Sequence, residues 1–214
     1  MCDADGPTRE HVPPVSFFPV GHRSNLITVP SCSEHNNSNS LDVEYARNVI
    51  VSQISTNALA RTWFQGPTLR SYKRSPGLRN RTFAKMTSVL VDGCETAIVE
   101  CEMPRFIAIV KAIAYACYFN DFGKRYDGDW VIFSSSMVAT EILLQGLPDP
   151  NESLRGWLQS LPFSEMPTSN PEVFKYGLHI ENEPDAVYSY RFEFYEGFVI
   201  HAIRSPTISD GKTA

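Results

Sequence analysis

EHVPPVSFFPVGHRSNLITVPSCSEHNN, residues 10–37, decides how the rest of the chain is read. It opens on an acid–histidine pair, Glu10-His11, and passes through Val12-Pro13-Pro14 and Phe17-Phe18-Pro19 to the apolar return Leu26-Ile27-Thr28-Val29. A Pro-Ser-Cys turn then leads into a polar segment holding Cys32, His35, Asn36 and Asn37. The pattern predicts two short strands followed by a helix, which brings the ends of the stretch together. Ser40 suits the helix start, with Asp42 and Glu44 in the first turn, where carboxylates meet the positive end of the dipole. Val43, Ala46, Ile50 and Ile54 then form one apolar stripe at helical spacing.

Taken singly, a Glu-His pair, a Cys-x-x-His and a run of Asn and Ser are most simply solvated loop residues. Their joint order resembles HNH endonucleases, whose pattern is an acid–His pair, a Pro, an Asn-Leu at the second strand, then Cys-x-x-Cys-Asn at the helix. Here those elements read Glu10-His11, Pro14, Asn25-Leu26 and Cys32-Ser33-Glu34-His35-Asn36. Most similar is a bacterial subgroup of small stand-alone HNH proteins, with a following acidic-Tyr segment matched by Leu41-Asp42-Val43-Glu44-Tyr45. The likeness covers about the first quarter of the chain.

The resemblance implies a phosphodiesterase site. Hydrolysis of a phosphodiester requires a deprotonated water and neutralised phosphoryl and leaving oxygens, tasks suited to one imidazole and one hard divalent cation. His11 is then the general base. Glu10 and Asn36 hold Mg²⁺ or Mn²⁺, with Asn37 or Asn39 as substitutes for Asn36, and Asn25 ties the loop between the strands. A hard cation that keeps several waters is satisfied by so few protein oxygens. The resemblance also implies a structural Zn²⁺ on Cys2, Asp5, Cys32 and His35, in which Asp5 and His35 replace two cysteines of the all-Cys pattern. Cys, His and occasionally Asp are the ligands tetrahedral zinc takes.

At 214 residues and 43% hydrophobic content the chain is long and apolar enough to bury a core, and wholesale disorder is excluded. The net charge of −5 does not point to nucleic acid, but its distribution does. Between Tyr45 and Val91 there is no Asp or Glu, while Arg47, Arg61, Arg70, Lys73, Arg74, Arg79, Arg81 and Lys85 fall there, eight of 19 basic residues. Phosphate contacts dominate nucleic-acid affinity, so Arg47, Arg70, Lys73, Arg74, Arg79 and Arg81 are the expected gripping residues, with DNA ahead of RNA as partner. Five cysteines, no leader-like start after Met1 and no apolar run of roughly 18–20 residues predict a cytoplasmic protein with reduced thiols and no membrane partner.

Downstream, residues 57–66 suggest a short helix stopped by Gly66-Pro67, then a loop-like basic run around Pro76-Gly77. Ser88–Val91 and Ala97–Cys101 read as strands about an Asp92-Gly93 turn. Pro104 opens a helix with Phe106, Ile107, Val110, Ile113, Ala114 and Cys117 on its apolar face and Gly123 past its end. Trp130–Phe133 reads as a strand, residues 151–161 as a helix, and residues 187–194 and 198–203 as a hairpin about Glu196-Gly197. His179 and His201, each on a predicted strand, read as structural, and the Asp121, Asp127, Asp129 and Glu181, Glu183, Asp185 groups as solvated turns. No phosphate-cradling Gly-rich loop or nucleophile elbow is present.

The expected fold class is α+β: a zinc-stapled ββα-metal module over 1–54, a basic connector over 55–86, and an α+β domain with an antiparallel sheet over 87–214. The expected activity is metal-dependent DNA hydrolysis. The alternatives are RNA cleavage at the same site, a zinc-stabilised nucleic-acid-binding protein without cleavage, and a C-terminal domain that carries the activity itself. One active site cutting both strands would require a homodimer or sequential nicking.

Overall fold

A computed structural model describes residues 8–32, 40–91, 93–138, 142, 145, 147–180 and 187–205. Strand β1 (Thr8–Val12) pairs antiparallel with β2 (Ile27–Ser31), Thr8 opposite Ser31 and Val12 opposite Ile27. The Thr8 hydroxyl donates to the Ser31 carbonyl at 2.7 Å and closes the open end of the hairpin, while residues 33–37, the far end of the opening stretch, lie outside the described residues. Between the strands a 3-10 turn at Val15–Phe17 delivers Phe17 and Phe18 to the core. Helix α1 (Ser40–Val51) buries Ala46 and Ile50 as its stripe requires. Ile54 departs from that expectation: the helix closes at Val51 through a tightening turn, Gln53 N–H to Ile50 O, and Ile54 is exposed.

Helix α2 (Ala58–Trp63) is capped by Asn57, whose side chain accepts from the Ala60 N–H at 3.1 Å. Gly66-Pro67 does not stop it. The chain widens into a π turn over Phe64–Thr68, whose longer hydrogen-bond spacing carries it past proline, and resumes as α3 (Leu69–Arg74). The basic run is likewise helical, not loop: α4 (Pro76–Thr82) begins with Ser75 accepting from the Leu78 N–H and proline in the first turn, where its missing N–H costs nothing.

Strands β3 (Met86–Val91) and β4 (Cys94–Val99) form a separate antiparallel pair. Helix α5 (Met103–Phe122) ends at left-handed Gly123, whose N–H bonds the Phe119 carbonyl at 2.8 Å. Phe106, Ile109, Val110, Ile113, Ala114 and Cys117 on it are buried. Then follow β5 (Trp130–Ser134), α6 (Glu152–Ser160), β6 (Ser164–Met166), β7 (Phe174–Ile180), β8 (Val187–Phe194) and β9 (Phe198–Arg204). These five strands hydrogen-bond antiparallel in the order β5-β9-β8-β7-β6, which makes the second half α+β.

Alternation sends Trp130, Phe174, Tyr176, Tyr190, Phe192, Phe194, Phe198 and Ile200 to one sheet face, all buried. Fully burying one such side chain contributes about 1.5–3 kcal/mol. That face packs against α5, with Phe106 and Phe198 edge-on at 6.0 Å. Val12, Phe17 and Val29 of the N-terminal hairpin belong to the same core, and the Tyr195 hydroxyl donates to the Phe17 carbonyl at 2.6 Å. Asp121 is not a solvated turn residue: its carboxylate accepts the Tyr176 and Tyr190 hydroxyls at 2.8 and 3.0 Å, tying the end of α5 to the sheet. Burial pushes both phenols far up, helped next by Asp121 for Tyr190 and by Cys117 and then Asp121 for Tyr176. Among the described residues no helix is long and apolar enough to cross a membrane.

The β8–β9 turn sits against residues 55–57, where the Asn57 N–H bonds the Tyr195 carbonyl at 2.9 Å and a Cβ built on Gly197 falls on the Ser55 carbonyl. Gly197→Ala should therefore lower stability by about 1–3 kcal/mol, read as a lower urea midpoint at unchanged slope. A second prediction concerns His201, 1% exposed, whose ring burial, and then Arg191, lowers its pKa to about 4. Between that value and its ordinary 6.5 the unfolded chain binds a proton that the folded ring refuses. Stability is then full above pH 6.5 and falls by about 3 kcal/mol as pH drops to 4. Chemical denaturation across that range should show this slope, and His201→Phe should remove its contribution.

Candidate nucleic-acid and metal site

The β1–β2 pair fixes the two residues that carry the N-terminal motif. Glu10 lies opposite Val29 and His11 opposite Thr28, both half-buried. Successive residues of a strand project to opposite faces, so Glu10 shares a face with Val12 and His11 shares one with Arg9. The Ser31 hydroxyl donates to Glu10 Oε2 at 3.2 Å across the hairpin. Cys32 is buried just past the end of β2, at the end of the hairpin where Thr8 begins β1. Cys2, Asp5, His35, Asn36, Asn37 and Asn39 lie outside the described residues. Among the described residues no three His, Cys, Asp or Glu side chains converge as a metal-binding group.

The loop between the strands is held from the far end of the chain. His22 Nδ1 meets Glu172 Oε1 at 2.6 Å, the Asn170 amide donates to the Ser24 carbonyl at 3.2 Å, and the Ser169 hydroxyl donates to the Asn25 carbonyl at 3.1 Å. Asn25 thus ties the loop through its backbone, in a left-handed conformation at φ 50°. His22 and Glu172 carry no sequence signal, because their partnership spans 150 positions.

The basic segment divides into two kinds of residue. Arg70, Lys73, Arg74 and Arg79 are exposed along α3 and α4. Arg47 is turned inward: its guanidinium donates to the Asn48 side chain at 2.9 Å and to Glu44 at 3.3 Å. Glu44 in turn accepts the Ser71 hydroxyl at 2.7 Å, so Arg47 belongs to a polar junction between α1 and α3. Burial draws its pKa down against the pull of Glu44. The side chain of Arg81 lies outside the described residues. Trp63, an aromatic just before this basic run, is buried as packing. Cys117 is buried as core, and Cys101 receives the Tyr45 hydroxyl at 3.5 Å.

Comparison of the chain with protein-family models, with curated proteins and with solved structures returns no match.

The division among the basic residues is testable. Arg47→Ala removes the cation from Glu44 and a donor from Asn48 and should cost about 1–3 kcal/mol, whereas Lys73→Gln and Arg79→Gln should stay within about 0.5 kcal/mol of the parent in chemical denaturation.

Proposed function

We propose that this protein is a metal-dependent endonuclease that hydrolyses DNA phosphodiester bonds, with Glu10 and His11 of β1 and Asn36 at its site. The observation that carries the reading is the hairpin: the described part of the HNH-like motif falls on an antiparallel strand pair, with Glu10-His11 on its first strand and the helix Ser40–Val51 the next described element. The exposed cations of α3 and α4 supply a phosphate-gripping surface downstream of it.

On this reading His11 takes the proton of a water as its oxygen attacks phosphorus in line. The bond from phosphorus to the 3′ oxygen breaks, leaving a 5′-phosphate and a 3′-hydroxyl after solvent protonates the departing oxygen. Glu10 and Asn36 would hold Mg²⁺ or Mn²⁺, which when bound neutralises charge on the phosphate and the leaving oxygen. Cys2, Asp5, Cys32 and His35 form a donor set whose chemistry fits Zn²⁺, and Cys32 already sits buried at the hairpin end.

One observation favours a second reading, nucleic-acid binding without cleavage: the Glu10 carboxylate is engaged by Ser31 and directed away from His11. Supercoiled-plasmid nicking with Mg²⁺ and with Mn²⁺ separates the two. The nuclease reading expects nicking that drops about 10²-fold or more in His11→Ala of unchanged fold. Cleavage of a structured RNA instead of plasmid would move the substrate, and gel shifts without cleavage of either would leave only the binding reading. Replacing Lys73, Arg74 and Arg79 together by Gln should weaken DNA binding uniformly across sequences and flatten its log–log salt dependence by about 0.9 for each phosphate no longer neutralised.

A further inference from the structure

The sheet face turned away from α5 is not closed by core. A cavity of about 460 Å³ lies on it, walled by Leu158 and Gln159 of α6, by Leu161 and Phe163, and by Ser135 and Ser136 after β5. Its floor is one register row across all five strands: Phe133 on β5, His201 on β9, Arg191 on β8, Gly177 on β7 and Glu165 on β6. Four of these five line the cavity. Lys175, one pleat along β7 from Gly177, lines it too.

His201 is the unusual member. It is 1% exposed, lines the cavity, and neither ring nitrogen has a hydrogen-bond partner among the described residues. Buried polar atoms are ordinarily satisfied, and orphaned ones require an explanation. Burial keeps this ring neutral, so it offers one donor and one acceptor. Phe163 stands 5.6 Å from it, ring to ring. The charges are polarised along the floor. Arg191 and Lys175 share a single carboxylate, Glu193, at 2.6 and 3.3 Å, which leaves cationic capacity at their end. Glu165, beyond Gly177 in the same row, is exposed and supplies a carboxylate at the other end.

We propose that this cavity is a ligand site for a small dipolar organic molecule: an oxyanion at one end, met by Arg191 and Lys175, an N–H donor at the other, met by Glu165, and an apolar or planar body between. His201, one strand beyond Arg191 in the row, would hydrogen-bond the oxyanion end of the ligand, while Leu158, Leu161 and Phe163 cover its body. The volume falls within the roughly 300–1,000 Å³ of ordinary small-molecule pockets, and the lining is mixed, with Leu158, Leu161 and Phe163 set beside charged and polar side chains. An oxyanion paired with arginine is supplied equally by a carboxylate or a phosphate ester. This site shares no residue with the proposed nuclease centre, and the two readings stand or fall separately.

The test uses the full chain with two probes that have the required ends and body, adenosine 5′-monophosphate and L-tryptophan, and inorganic phosphate as the bare oxyanion. Binding is read by calorimetry and by the ring-nitrogen NMR signals of the chain's five histidines, His201 being assigned by its loss in His201→Phe. The proposal expects at least one organic probe to bind at millimolar concentration or below and to shift the His201 signals. A preference for the nucleotide would identify a phosphate ester, and a preference for the amino acid a carboxylate. Arg191→Gln should weaken that probe by about tenfold or more, and His201→Phe should abolish its binding while remaining folded. If neither organic probe moves the His201 signals, if inorganic phosphate binds as well as both, or if His201→Phe binds like the parent, the proposal is overturned.

Discussion

Helix α5 is apolar on more of its surface than one neighbour can cover, and the fold is arranged to meet that demand. Its buried positions, from Phe106 through Val110, Ile113 and Ala114 to Tyr118, span roughly half the circumference at 3.6 residues per turn. The aromatic face of the five-stranded sheet takes one side through β5 and β9, while α1 and the β1–β2 hairpin take another. The result is one continuous cluster running from Val12 to Ala202, across the sequence positions where composition changes. The N-terminal hairpin is therefore placed by a helix about a hundred residues downstream.

Polar groups at the margins of this core fix how its parts meet. Asp121 gathers two tyrosine hydroxyls at the end of α5, Tyr195 reaches back to Phe17, and Arg47 links α1 to the helical basic segment through Glu44 and Ser71. Each satisfies a group that burial would otherwise leave at a cost of about 1–3 kcal/mol. The sheet's other face follows a different rule: it keeps charges and an orphaned imidazole around open space.

Much of the local structure was legible. The 3.6-residue stripe announced α1 and α5, Pro104 and Gly123 marked the ends of the latter, and alternation announced β8 and β9. The errors came where a local breaker was overruled. Gly66-Pro67 reads as a stop but lies inside a π turn, and Pro76-Gly77 reads as a loop although Ser75 and Pro76 together form a good helix start. At the candidate site, two short strands were expected from the pattern, and Glu10 and His11 do lie on a strand, with the register opposite residues 28 and 29 set by the structure. It did not reveal that Arg47 spends its charge inside the protein, because Glu44 and Asn48 engage it only once α1 packs on α3.

By itself, the sequence determined most of the helices and strands outside residues 64–82, since those choices follow from periodicity and capping within a few residues. It also determined the adjacency of acid and histidine on β1 and the clustering of cations over α3 and α4. Tertiary structure alone decided what sits beside what: the His22–Glu172 pairing, the inward turn of Arg47, and the row that brings Phe133, His201, Arg191, Gly177 and Glu165 onto one floor. Such a row depends on the register of five strands, and register is set by long-range pairing of whole faces, which leaves no mark within any one strand.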